Sequence, residues 1–207
     1  MMVTLITELN KSRVRIETDQ DFAFVLYKGE LRKYGIRQGE PISGEAWRQI
    51  REELLPKRAK LRAMNLLKTR SYTTYQLSDK LKLGGYPDNI VKEAIAYVES
   101  FGYLDDAGYA ADYIEYHKED KSRLRILNDL RRRGISEDVI QRAWEDTVGE
   151  DRQMLEREQI LKLAEKRHFS LETASFDEQQ KMLGFLYRKG FSLDTIRSVL
   201  LLDITPN

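Results

Sequence analysis

Apolar positions recur in one arrangement three times along this chain. Ile126 and Leu130 lie four apart, on one face of a helix, and Gly134 follows four later. Ser136 then suits an N-cap, and Glu137 and Asp138 suit the positive start of a helix. Val139, Ile140, Ala143 and Trp144 give that helix an apolar stripe. Residues 121–144 are therefore expected to form a cationic helix, a tight glycine turn and a second helix. The order repeats at Leu77, Leu81 and Gly85, followed by Ile90, Val91, Ala94 and Ile95. It repeats again at Met182, Leu186 and Gly190, followed by Ile196, Val199 and Leu200, with Thr195 where the other copies have Ile90 and Val139. The glycines stand 49 and 56 residues apart. Recurrence at this period marks a helical repeat array more readily than a chance likeness among amphipathic helices.

A further amphipathic helix is expected before each copy. It spans about 57–68 with Leu61, Met64 and Leu67, about 107–118 with Tyr109, Tyr113 and Ile114, and about 151–167 with Leu155, Ile160 and Leu163. Thr73 with Gln76, and Ser175 with Glu178, suit capping boxes. The first thirty residues have period two instead. Val14 and Ile16 alternate with charged neighbours, and Phe22, Phe24, Val25 and Leu26 belong to a short aromatic and β-branched run. Between them and the repeats, Ser43 can cap a helix striped by Trp47, Ile50, Leu54 and Leu55, and Pro56 ends that helix or starts the next. The expected fold is mainly α. Three tandem three-helix repeats form an elongated, curved array behind a small N-terminal antiparallel β element that is separable from them. The expected boundaries are 1–30 for the strands, 31–56 for a helical connector, and 57–105, 106–150 and 151–207 for the repeats.

Composition narrows the chemistry. The 207 residues are 33% charged with a net charge of +1, and no cysteine is present, which excludes disulfides and thiolate chemistry. No apolar run nears the ~18 residues of a membrane span, and Glu8, Asn10 and Lys11 interrupt any signal-peptide core. A cytoplasmic, monomeric protein is expected. His117 and His168 each sit in a charged helical stretch without ligand spacing, and Asp105 and Asp106 read as caps. No phosphate loop or nucleophile elbow occurs, so neither catalysis nor a metal or cofactor is expected.

The charges are unevenly placed. Residues 57–70 hold Lys57, Arg58, Lys60, Arg62, Lys68 and Arg70 and no acid. Residues 121–133 hold Lys121, Arg123, Arg125, Arg131, Arg132 and Arg133 against Asp129 alone. A charge run is commonly a solvated face, but two runs in consecutive repeats suit a partner rich in phosphate or carboxylate. Tyr72, Tyr75, Tyr86 and Tyr103 lie near the first run and could stack on bases; for Tyr86 and Tyr103 packing in a core or turn is the stronger expectation. Residues 130–144 also resemble a helix-turn-helix, which would make the chain an independent DNA-binding module. Glu137, Asp138, Glu145 and Asp146 on its second helix make sequence-specific reading of a major groove a poor fit.

The run Gly102-Tyr103-Leu104-Asp105-Asp106, followed by Tyr109-Ala110 and Tyr113-Ile114, resembles the signature of the RecX regulatory proteins. Thr73, Gln76 and Leu77 before it and residues 121–135 after it agree, with Gln76 where the family often has Glu. The likeness covers residues 57–145 well and extends more loosely over the third copy and the strands. It implies three tandem three-helix repeats, no enzymatic activity and a RecA recombinase filament as partner. It also implies inhibition or modulation of recombinase and coprotease activity in DNA repair and the SOS response, and the two cationic windows add contact with single-stranded and double-stranded DNA as an expectation.

Overall fold

The fold is that of a computed structural model, which describes residues 1–201 apart from the side chains of residues 150 and 152. Three strands, β1 (Val3–Glu8), β2 (Arg13–Thr18) and β3 (Ala23–Tyr27), form an antiparallel sheet in that order. Ile16 pairs with Ile6 on one side and Phe24 on the other. Alternation along the strands puts Val14, Ile16, Phe24 and Leu26 on a buried face. Helix α1 (Lys28–Lys33) follows directly, and the backbone N–H of Tyr27 donates to Glu30 at 2.8 Å.

Helix α2 (Gly44–Arg48) starts at Ser43, whose hydroxyl accepts from the Ala46 N–H at 3.2 Å. It runs through a π-helical stretch, Gln49–Leu54, into α3 (Leu55–Leu67). Pro56 therefore does not end the connector at a turn. A proline ring presses on the carbonyl four residues back, and the widened stretch lies where that clash would fall. Helices α4 (Thr74–Leu83) and α5 (Asp88–Ser100) complete the first repeat. The Thr73–Gln76 capping box forms, with the Gln76 N–H donating to the Thr73 hydroxyl at 3.2 Å.

Residues 1–105 are one compact unit. Ile16, Phe24 and Leu26 of the sheet share one buried cluster with Ile50, Leu55, Leu77, Leu81 and Val91. The rings of Phe22 and Trp47 meet edge to face at 5.1 Å. Gly85, at φ +87°, passes so close to β3 that an added Cβ would lie 2.1 Å from Val25 Cγ2. The expectation of a separable β element is corrected accordingly. The sheet supplies one wall of the first repeat's core, because three short helices leave an apolar face that needs a cover.

The second unit begins at Asp106. It contains α6 (Asp106–His117), α7 (Arg123–Arg132), α8 (Glu137–Val148), a 3-10 turn at Gly149–Asp151, α9 (Arg152–Glu165), α10 (Phe176–Lys189) and α11 (Leu193–Leu200). The last six residues of the expected third repeat, 202–207, lie outside the described residues. One core gathers Ile114, Ile126, Leu130, Ile140 and Trp144, and another gathers Ile160, Met182, Leu186, Phe191 and Ile196. These are the repeat-equivalent positions of the sequence pattern. The turn glycines 85, 134 and 190 take φ of +87°, +78° and +99°. That left-handed conformation penalises a side chain.

Buried polar groups fasten the second repeat to the third. The Ser122 hydroxyl donates to the Lys189 carbonyl at 2.6 Å, under Gly190. The Gln159 side-chain amide donates to the carbonyls of Lys118 and Lys121, the latter at 3.0 Å. Ser136 occupies the N-cap of α8, but its hydroxyl bonds Asp138 instead of capping the helix backbone. His168 lies beyond α9 at φ +53°, in a turn and not in the helix expected for it.

Candidate functional site

The first cationic window divides into paired and unpaired groups. Arg58 forms an ion pair with Glu30 and lies over the Tyr27 ring at 4.7 Å, which ties α3 to the end of the sheet. Lys60 pairs with Glu93 at 2.6 Å and lies over Tyr97 at 5.3 Å. Arg70 covers the buried Tyr72 ring at 4.3 Å. Lys57, Arg62 and Lys68 are exposed and form no ion pair among the described residues.

The second window sorts the same way. Lys121 donates to the Tyr113 hydroxyl at 2.6 Å and to Asp129 at 3.0 Å, and Tyr113 donates to Asp129 at 2.9 Å. Partial burial alone would raise the Asp129 carboxyl. The hydrogen bonds from Lys121 and Tyr113, with Arg133 nearby, outweigh it and hold the group below the usual carboxylate range. Burial likewise works against the Lys121 ammonium, and its hydrogen bonds to Tyr113 and Asp129 raise its pKa despite it. Arg133 donates to the Tyr109 hydroxyl at 3.2 Å and lies over the Tyr113 ring at 4.4 Å. Arg131 grips Glu137 with two nitrogens at 2.7 and 2.8 Å, a fork that with Gln141 lowers the Glu137 carboxyl to about 2. Arg123 donates to Gln141 at 2.8 Å and stacks over Trp144 at 5.5 Å. Arg125 and Arg132 are exposed and form no ion pair among the described residues.

Those two arginines stand seven residues apart on α7, two turns along one face. The face borders an open groove of about 640 Å³ that continues to the turn between α10 and α11. Arg188 and Lys189 enter the groove from the third repeat, beside the exposed Tyr187 and the hydroxyls of Ser192 and Thr195. Sequence reasoning missed Arg188 and Lys189. The available signal was the repeat itself, since they precede Gly190 as Arg132 and Arg133 precede Gly134.

Other candidates fall elsewhere. Tyr75 is exposed and Tyr86 is half-buried, with its hydroxyl pKa raised by burial. Tyr103 packs at a turn and not in a core. It is exposed and stacks on Phe101 at 6.1 Å, because α5 ends at Ser100 and the chain turns outward at Gly102. His117 packs against Tyr113 and Tyr116, and burial followed by Lys121 and Arg133 lowers its pKa. On α8, Arg142 is engaged by Asp138 at 2.6 Å, so the helix-turn-helix analogue offers a groove mainly carboxylates. Among the described residues no three His, Asp or Glu side chains gather as a metal site, and no helix is long and apolar enough to cross a membrane.

Three family models match the chain in succession. The first three-helix domain of RecX matches residues 59–97, the second 105–143 and the third 156–200. A regulatory protein RecX from Caldanaerobacter subterraneus subsp. tengcongensis is 29% identical over 202 residues, covering 97% of this chain and 98% of that protein. Another from Clostridium perfringens strain 13 is 30% identical over 193 residues, covering 92% and 89%. A crystal structure of regulatory protein RecX aligns with a TM-score of 0.62 at 23% identity, over 96% of this chain and 98% of that one. The RecX structure from Lactobacillus salivarius aligns at 0.59 and 22% identity, over 71% and 95%. Those two structures share the fold.

Proposed function

Because this chain belongs to the RecX family of regulatory proteins, we propose that it acts by binding the RecA recombinase filament on DNA and restraining strand exchange and coprotease activity. In this reading it works in the cytoplasm as a monomer, and it contacts DNA strands without reading their sequence. The supporting observation is the sorting of charges along residues 121–133, on α7 and at its two ends. Lys121, Arg123, Arg131 and Arg133 are held by neighbours within the unit, whereas Arg125 and Arg132 project unpaired. Unpaired surface arginines contribute little to folding, which leaves them available to phosphate or carboxylate. Lys57, Arg62 and Lys68 on the first repeat are a second set of the same kind.

Binding to preassembled recombinase filaments and to bare single strands, compared across salt, tests the proposal. Filament binding should be tighter than bare-strand binding. The bare-strand affinity should fall with a log–log salt slope of about −3 to −4 if four to six cations meet phosphates. Equal affinity for the filament and the bare strand would favour an independent DNA-binding module.

A further inference from the structure

A different surface, on the third repeat, combines apolar and acidic residues. An open groove of about 850 Å³ lies between the second half of α9, the loop at 168–174 and the end of α11. It shares no lining residue with the groove beside α7. We infer that it seats a cationic amphipathic helix of a partner protein. The inference goes beyond the regulatory reading above, because it concerns a protein segment at a surface which that reading does not use.

The sequence builds an apolar floor there. Helix α9 stops at Glu165, and the chain reverses at His168, φ +53°, where the Phe169 N–H returns to the Ala164 carbonyl at 3.1 Å. That reversal brings Phe169 and Leu171 to the groove with Ala164, and Val199 and Leu200 close the floor from α11. Phe169, Leu171 and Val199 are only partly buried against the third core, and Leu161 stands 43% accessible. The loop is set before a partner arrives. The Ala174 N–H donates to the Ser170 carbonyl at 2.9 Å, and the Gln179 side-chain amide donates to the Ala174 carbonyl at 3.1 Å. A contiguous apolar patch with a polar rim marks an interaction site, whereas exposed leucines scattered singly do not.

Charge selects the occupant. Glu158, Glu165 and Glu172 line the groove against Lys162 alone. All three glutamates are exposed and form no ion pair among the described residues. Glu165 ends α9, where the helix dipole disfavours a negative charge, so helix stability does not account for it. Three carboxylates repel phosphate, which makes a nucleic-acid strand or an anionic lipid surface a poor occupant. They attract lysine and arginine. Spacing then selects a helix. Glu158 and Glu165 stand seven residues apart, about 10 Å along α9, with Leu161 between them. Cations seven residues apart on a second helix, with apolar residues between them, match that order. No strand occurs among the described residues of this unit, so a partner cannot dock by extending a sheet.

The test uses the full chain, without recombinase, and a labelled peptide of leucine and lysine patterned as an amphipathic helix. Fluorescence anisotropy gives its affinity, and an amide NMR titration should move the signals of Leu161, Phe169, Leu171 and Val199. An isomer of the same composition with its apolar face scrambled should bind at least about fivefold more weakly. Glu158→Lys with Glu165→Lys should weaken binding of the patterned peptide about tenfold or more. Leu161→Gln should weaken it about fivefold by removing an apolar anchor. Glu145→Lys with Asp146→Lys, an equal change of charge on α8, should leave it within about twofold, since exposed charges outside a contact are screened by salt. Absence of binding, equal binding of the scrambled isomer, or NMR shifts confined to other residues overturns the inference. So does wild-type affinity in the Glu158→Lys/Glu165→Lys variant with an unchanged melting profile. Self-association of the wild-type chain that this variant abolishes would give the groove to a second copy and overturns it as well. If the charge-reversed variant fails to fold, Leu161→Gln carries the test, and wild-type affinity there overturns the inference equally.

Discussion

At the scale of single residues, Asp129 engages Lys121, while Gln141 and Glu137 hold Arg123 and Arg131 of α7. Asp129 lies between Lys121 and Tyr113 with 22% of its side chain accessible. Its carboxyl is held below the usual range, because those hydrogen bonds outweigh the cost of burial. A group shifted in that direction contributes stability in full above its ordinary value near 3.8, and the contribution is lost as pH falls through the lower folded value. Asp129→Asn should therefore cost about 1–3 kcal/mol at neutral pH. The gap to wild type should close as the pH drops below about 3.8. Urea melts from pH 7 to 2.5 measure this, and a gap that stays constant through the acid range would contradict it. The cationic window itself was legible in the sequence. The division within it was not, because Arg131 and Arg132 are adjacent in sequence and only their directions on the helix decide which meets Glu137.

At the scale of elements, the helices and their turns follow the sequence pattern closely, since period, caps and left-handed glycines all mark the same boundaries. Thr73 with Gln76 and Ser175 with Glu178 form the expected capping boxes. The sheet is different. Its alternation announced strands, but nothing in the alternation states which helices its buried face covers. Gly85 provides the link and a prediction. At φ +87°, with Val25 Cγ2 2.1 Å from the position of an added Cβ, Gly85→Ala combines backbone strain with overpacking of β3. It should cost about 2–5 kcal/mol. Gly102→Ala, at φ +69° with nothing within 4 Å, meets the strain alone and should cost about 1–2 kcal/mol. Chemical denaturation of both variants checks the ordering. Equal costs would mean that the sheet does not press on the first repeat.

At the scale of the molecule, the two units have different work. Residues 1–105 enclose a mixed core of sheet and helices, and Arg58, Lys60 and Arg70 of the first cationic window are held by carboxylates or aromatic rings of this unit. The second unit carries two helical cores joined by buried polar bonds, and the unpaired Arg125 and Arg132 border one groove. The threefold repeat was legible because each copy must bury the same helical faces. The groove was not, because it depends on how one repeat meets the next. The central claim is that this surface carries the regulatory contact. Strand exchange by a recombinase on fixed DNA, titrated with wild-type protein and with the Arg125→Glu/Arg132→Glu double variant, tests it most directly. Surface charge reversals should each change stability by no more than about 0.5 kcal/mol, so the melting profile should hold. The folded double variant is predicted to need at least about tenfold more protein for equal inhibition, the least expected when charge pairs worth about 2–5 kcal/mol are broken. Full inhibition by the folded double variant at wild-type concentrations would contradict the claim.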